Sequence, residues 1–251
     1  MTQTVLVVGS GCANKFDYLE ELSKLGAQVL LLEPEGFTPK TRFPTYYARF
    51  TDLNQVISVA KTIAKKHTID AADTIFETNM EHAAEVRKAL KLKGLTPELV
   101  RYGRNKTIMS QFMVENGIRT APFIVFDKND DLNLIQKKMI AAGPRAWILK
   151  PDNLAGNVGV QKITDPKSFI DIFRNAQRDV ANNPDQPMIY YKTDQKWMVC
   201  HYINGHEIES EVCIHKGDVV FTCYLFKTVS VVRPWGIEEN RVVTPIPWLS
   251  K

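Results

Sequence analysis

Unbroken apolar runs separated by helical patterns leave the first part of this chain few folds to choose from. Thr4–Val8 (TVLVV) and Val29–Leu32 (VLLL) show no alternation of polar and apolar residues. That is the pattern of strands buried on both faces, which belong to parallel sheets. Gly9-Ser10-Gly11 ends the first run, and a helix is expected through Phe16, Leu19, Leu22 and Leu25, stopping at Gly26. Glu33-Pro34 closes the second strand. Asn54 is placed to cap a helix carrying Val56, Ile57, Ala60, Ile63 and Ala64. Thr74–Phe76 reads as a third strand, followed by a helix from about His82 to Leu92 and a break at Gly94. Strand and helix alternate throughout, so residues 1–103 are expected to form one open parallel-sheet α/β domain.

The rhythm then changes. Ile108, Phe112 and Met113 form a stripe on a helix ending at Asn116-Gly117, and Pro122–Phe126 is a strand. A helix across Leu132 to Ala142 leads into a strand that ends at Lys150. Asp165-Pro166 opens another helix, spanning Phe169, Ile172, Phe173 and Ala176, with the proline suited to its first turn. After a loop at Asn182–Asp185 strands dominate: Met188–Tyr191, Trp197–Ile203, Ile208–Ile214 and Val219–Thr228. His215-Lys216-Gly217-Asp218 marks a hairpin turn. Residues 104–251 are therefore α+β with an antiparallel sheet, giving a chain that is α/β plus α+β overall.

Composition narrows the partners. Hydrophobic residues make up 44% and charged residues 24%, with a net charge of only +4 and the two signs interspersed. That balance argues against nucleic acid as a partner and favours small anionic molecules. No run approaches the roughly 18 apolar residues of a membrane span, and Met1–Thr4 leads straight into a strand with no signal peptide. A cytoplasmic protein is expected. Cys12, Cys200, Cys213 and Cys223 have no metal-type spacing, and mostly buried, reduced thiols are expected. His201 and His206 are likewise not at metal-ligand spacing, so no metal-binding residues are assigned.

The stretch from Trp147 to Val160 (WILKPDNLAGNVGV) carries the most chemistry. An apolar strand delivers Lys150 to a loop punctuated by Gly156 and Gly159 before the next apolar run. Glycines let backbone N–H groups approach and wrap a polyphosphate, and the lysine supplies a point charge for its oxygens. It is not the P-loop order, in which the lysine follows the glycines and precedes a helix. A plain hairpin loop whose glycines serve only the turn remains the alternative.

Three features fall in a set order. Asn105-Lys106 opens a helix ending at Gly117-Ile118-Arg119-Thr120-Ala121-Pro122. Next comes the Lys150 strand with its glycine loop, and then Val199-Cys200-His201-Tyr202-Ile203-Asn204-Gly205-His206-Glu207. This succession resembles the ATP-grasp superfamily, of the carboxylate–amine or carboxylate–thiol ligase type. Its members place a Rossmann-like domain before the ATP-grasp core. The resemblance implies a small lobe over about 122–200 and the start of a large lobe over about 201–251. It also implies roles. Lys106 and Lys150 contact the nucleotide phosphates, and Gly156, Asn157 and Gly159 belong to a mobile flap over them. The backbone from Cys200 through His201 to Ile203 reads the adenine edge, with Ile203 packed on the ring, and Glu207 holds the ribose hydroxyls. The bland alternatives are a solvated helix lysine for Lys106 and a sheet residue paired with a lysine for Glu207. Glu209 and Glu211 share the Glu207 face of their strand. No residue is assigned to catalysis.

The sequence departs from the family pattern at three points. Cys200 stands where an acid is usual, and Asn105 replaces the usual Asp, at a capping position either residue can fill. The pattern also continues past Val242–Pro247 into a segment carrying Mg²⁺ ligands, whereas this chain stops at Lys251. Glu238, Glu239 and Asn240 fall too early in the pattern to be those ligands. The core is thus expected to be incomplete, with the metal ligands outside this chain. By resemblance the cofactors are ATP and Mg²⁺, the partners are small-molecule carboxylate and amine substrates, and a homodimer is the common assembly. The leading expectation is an ATP-dependent ligase working through an acyl-phosphate, or the ATP-binding portion of one, with the substrate between the first domain and the core. The alternative is a catalytically silent ATP-binding or scaffold module. A third reading, a nicotinamide-dependent oxidoreductase, rests on Gly9-x-Gly11-x-x-Asn14 and on Glu33 at the end of the second strand.

Overall fold

The computed structural model describes residues 2–11, 17–154, 157–182, 196–227 and 242–243. The expected strand Met188–Tyr191, most of the loop 182–185, Gly156, Cys12, Asn14, Phe16 and Glu238–Asn240 lie outside these residues.

The first domain is built on a parallel sheet of four strands in the order β3-β2-β1-β4. β1 (Thr4–Val8) pairs in parallel with β2 (Gln28–Pro34) on one side and with β4 (Ala71–Asp73) on the other. The two unbroken apolar runs are β1 and the centre of β2, and Leu6, Leu30, Leu31 and Leu32 are fully buried. Helix α1 (Tyr18–Lys24) packs with Val7, Val29 and Leu31 on one face of the sheet. Helices α2 (Leu53–Lys66) and α3 (Met80–Leu90) cover the other through Val56, Ile63 and Val86.

Several local expectations need correction. The strand expected at Thr74–Phe76 lies three residues earlier, at Ala71–Asp73, and Thr74 to Phe76 instead forms the turn that follows. A further strand, β3 (Thr45–Ala48), pairs with β2. The cap of α2 is Asp52, whose carboxylate accepts the Asn54 and Gln55 N–H groups, so Asn54 is capped and does not cap. Helix α4 (Pro97–Arg104) was not anticipated; Thr96 caps it and Pro97 occupies its first turn.

Asn105 ends α4 and caps α5 (Lys106–Glu115), so one non-helical residue joins the two helices. The second sheet is antiparallel, in the order β5-β8-β6-β7. Its strands are β5 (Phe123–Asp127), β6 (Trp147–Pro151), β7 (Gln161–Ile163) and β8 (Lys196–His201). Helices α6 (Leu132–Ala141) and α7 (Phe169–Ala181) cover one face. There Phe126, Trp147, Leu149, Phe169, Phe173, Trp197 and Val199 form the core. Phe173 contacts Phe126 and Trp197 edge to face, at ring separations of 5.2 and 5.1 Å.

The third sheet is the hairpin β9 (Glu207–His215) and β10 (Asp218–Lys227), with the short β11 (Val242–Val243) beside β10. Lys216 (φ 52°) and Gly217 (φ 92°) make the two-residue turn, the conformation that matches hairpin twist. The thiols do not follow the expectation of burial: Cys200 is buried, but Cys213 is exposed and Cys223 half-buried on this hairpin. No helix among the described residues is long and apolar enough to cross a membrane.

Candidate functional site

Alternation along β6 and β8 decides what the second sheet presents on the face away from its aromatic core. Trp147, Leu149, Trp197 and Val199 point into the core. Their neighbours Ile148, Lys150, Met198 and Cys200 therefore share the opposite face. Ile148 sits opposite Cys200 and Lys150 opposite Met198 in the antiparallel register. The Lys150 charge lies near enough to act on the Cys200 thiol. Burial pushes the Cys200 thiol up from its ordinary pKa, and the Lys150 charge partly offsets this.

Lys106 reaches the same region from α5. The helix is docked at its N-terminus on the turn that follows β6. The Lys106 N–H donates to the Asp152 carbonyl at 2.9 Å and the Thr107 N–H to the Asp152 carboxylate at 2.9 Å. The Asn105 side chain gives its amide hydrogen to the other carboxylate oxygen at 2.6 Å, while its own oxygen caps the Ile108 N–H. A buried carboxylate thus occupies the positive end of the α5 dipole. Lys106 then donates from Nζ to the Leu154 carbonyl at 2.6 Å. Burial holds its pKa below the ordinary lysine value; the Arg104 and Lys150 charges push the same way, against Glu77 and Asp152. The 152–154 turn leads directly into the glycine loop.

The remaining expected residues are placed unevenly. Asn157 (φ 54°) and Gly159 (φ 71°) take left-handed backbone in the return of the loop. A side chain at Gly159 would meet Val180 at 2.7 Å and Trp197 at 3.3 Å, so close packing on α7 and β8 requires glycine there. His201 lies on the core side: its ring meets Trp147 edge on at 4.3 Å, and its N–H is used by the Pro122 carbonyl. The Tyr202 N–H likewise donates to Ala146. Ile203 follows in the link to β9 and is 71% exposed. Glu207 opens β9 opposite Lys227. Lys106 and Cys200 each lie close enough to Lys150 to feel its charge. Sequence reasoning missed Asp152 and Arg104, which follow and precede predicted residues but carry no motif of their own.

The glycine turn of the first domain has a different use. The Ser10 N–H donates to the fully buried Glu33 carboxylate at 2.8 Å, the Gly9 carbonyl accepts from Thr74, and the Ser10 carbonyl accepts from Tyr18. A side chain on Gly9 would collide with Asn79, and one on Gly11 with Phe76. Glycine here permits side chains of the following segment to pack on the turn, and Glu33 is spent on its backbone. These contacts give Gly9, Gly11 and Glu33 a structural use that needs no nicotinamide cofactor. A cavity of about 430 Å³ opens beside the turn, lined by residues between Ser10 and Arg42, including Leu19, Phe37 and Lys40.

No family model matches the sequence, and no curated protein matches it. Solved structures do. An L-amino acid ligase from Bacillus licheniformis superposes with a TM-score of 0.73 at 19% identity, over 95% of this chain and 55% of that one. The biotin carboxylase domain of 2-oxoglutarate carboxylase from Hydrogenobacter thermophilus, solved with MgADP and bicarbonate, gives 0.67 at 17%, over 92% and 51%. A D-alanine–D-alanine ligase from Bacillus anthracis complexed with ATP gives 0.58 at 14%, over 96% and 70%. The chain has the ATP-grasp fold. It spans about half the length of the first two of these structures.

Within the ATP-grasp fold the departures at Asn105 and Cys200 acquire local reasons. An aspartate at 105 would face the Asp152 carboxylate that now accepts the Asn105 amide. A thiol at 200 leaves the Lys150 charge without the carboxylate that an acid would set beside it.

Proposed function

We propose that this chain is an ATP-dependent ligase, or the ATP-binding portion of one, that joins a carboxylate to an amine or thiol through an acyl-phosphate. One observation carries the reading. Two lysines from different elements, Lys106 at the start of α5 and Lys150 at the end of β6, converge at the turn that leads into the glycine loop. Their proximity gathers positive charge, only partly offset by Glu77 and Asp152, at a partly desolvated site, where it would act on phosphate oxygens more strongly than in water.

In the proposed reaction a carboxylate oxygen attacks the γ-phosphorus as the bond to ADP breaks, and an amine or thiol then displaces phosphate from the acyl carbon. Lys106 and Lys150 would hold the phosphate chain and offset the charge that develops on it. The residues around Ile203 would take the base and Glu207 the ribose. Among the described residues no group of three or more His, Cys, Asp or Glu side chains is placed to hold a metal.

Calorimetric titration of ATP, with and without Mg²⁺, tests the proposal, followed by a screen of amino acids for ADP release. Saturable binding that Mg²⁺ strengthens is expected. Binding with no ADP release for any acceptor would favour the silent ATP-binding module, and no binding would remove the nucleotide site.

A further inference from the structure

Arg104, the last residue of α4, is buried out of proportion to its chemistry: its side chain is 4% exposed, against 54% for its partner Glu77. One terminal nitrogen of the guanidinium donates to Glu77 at 2.6 Å and the other to the Asn153 carbonyl at 2.9 Å. Two residues on, Lys106 donates to the Leu154 carbonyl. Two cations on either side of Asn105 thus hold two consecutive carbonyls at the root of the glycine loop. Glu77 belongs to the turn after β4 of the first domain, so the arginine joins that domain to the loop root. Within the same seam Arg104 Nε, Thr107 Oγ1 and Asn153 Oδ1 are buried without a partner among the described residues. Buried polar groups left over in a seam call for an explanation, and a positioning role supplies one. The rigid two-pronged donor geometry of arginine suits a part that fixes orientation.

We infer that Arg104 is a positioning residue of the phosphate site: it fixes the 153–154 backbone against Glu77, and with it the place of Lys106 Nζ. The inference rests on the nucleotide reading of the site.

The test is titration of the full chain and its Arg104→Gln, Arg104→Lys and Glu77→Gln variants with ATP, inorganic triphosphate and adenosine. Arg104→Gln loses about tenfold in affinity for ATP and for triphosphate, the scale of a misaligned charge-assisted contact. Adenosine binding stays at the wild-type level. Arg104→Lys, with a single point donor, recovers part of the loss. Glu77→Gln, at a half-exposed position, shows a smaller loss of the same kind and decides the matter if Arg104→Gln does not fold. Wild-type triphosphate affinity in both Arg104→Gln and Glu77→Gln, or an equal loss for adenosine, overturns the inference. A wild-type chain that binds neither ATP nor triphosphate overturns the nucleotide reading itself, and the inference with it.

Discussion

Asn105 and Asp152 are joined side chain to side chain at 2.6 Å, an amide donating to a carboxylate at the N-terminus of α5. Asn105→Asp would bring two carboxylates into contact. We expect a loss of about 1–3 kcal/mol at pH 7, the scale for an interaction turned from hydrogen bond to repulsion in a partly buried site. One carboxyl of the pair would have its folded-state pKa raised, so the variant regains stability as pH falls. Urea unfolding at neutral and mildly acidic pH measures this, and a pH-independent loss would mean that the two groups move apart.

On the proposed reading Lys150→Ala removes a charge-assisted contact to phosphate and is expected to weaken ATP binding at least about tenfold. The fold should persist, because Lys150 is only half-buried and lies outside the aromatic core. Glu207→Ala should weaken ATP more than inorganic triphosphate. Equal losses for the two ligands would place Glu207 away from the ribose.

The lowered pKa of Lys106 gives stability and binding opposite pH dependences. Below its folded-state pKa the buried cation costs the folded chain desolvation energy. Between that value and the ordinary 10.5 the folded protein releases its proton while the unfolded chain keeps it. Wild-type stability should therefore rise over this alkaline window relative to Lys106→Met, while triphosphate affinity falls. Parallel thermal-melt and titration series at increasing pH would show the divergence; curves that move together would mean that Lys106 is not a phosphate ligand.

Glu33 is pushed up from the ordinary glutamate value chiefly by burial, with the Ser10 hydrogen bonds opposing, and one of its carboxylate oxygens has no partner among the described residues. Its charged form weakens the fold, so wild-type stability should fall as pH rises from about 4.5 through the raised value. Glu33→Gln keeps an oxygen for the Ser10 N–H. It should exceed the wild type at pH 7 by about 1 kcal/mol, the scale for relieving a buried polar mismatch. The gap should close below pH 4.5. A variant less stable than the wild type at pH 7 would show that the carboxylate charge is needed at the turn.

The parallel sheet was legible because β1 and β2 are apolar without interruption, a pattern that admits little else. Thr74–Phe76 misled because Ile75 and Phe76 have strand propensity. Ile75 is 56% exposed and Phe76 packs on Gly11, so tertiary context overrode the local preference. Ala71–Asp73, the true strand, has no such preference and is held by pairing with β1. The cap of α4 was written in Thr96-Pro97 and was passed over. In the site the lysines could be found from the elements they end or begin. Asp152 and Arg104 could not, because their work is done across 45 or more positions of sequence, on Thr107 and Asn153.

The single-residue joint at Asn105 has a consequence for how such a chain can change over time. Arg104 and Lys106 flank it, and each must face its own carbonyl in the 153–154 backbone. Asn105 binds the Asp152 carboxylate while the next residue, Lys106, gives its N–H to the Asp152 carbonyl, so one residue inserted or deleted at the joint would break one of these two anchors and carry Lys106 away from its target. A change in length at the joint would break this arrangement whichever residue fills it. Among distant relatives that keep both cations, the spacing between them should therefore outlast the identity of the residue between.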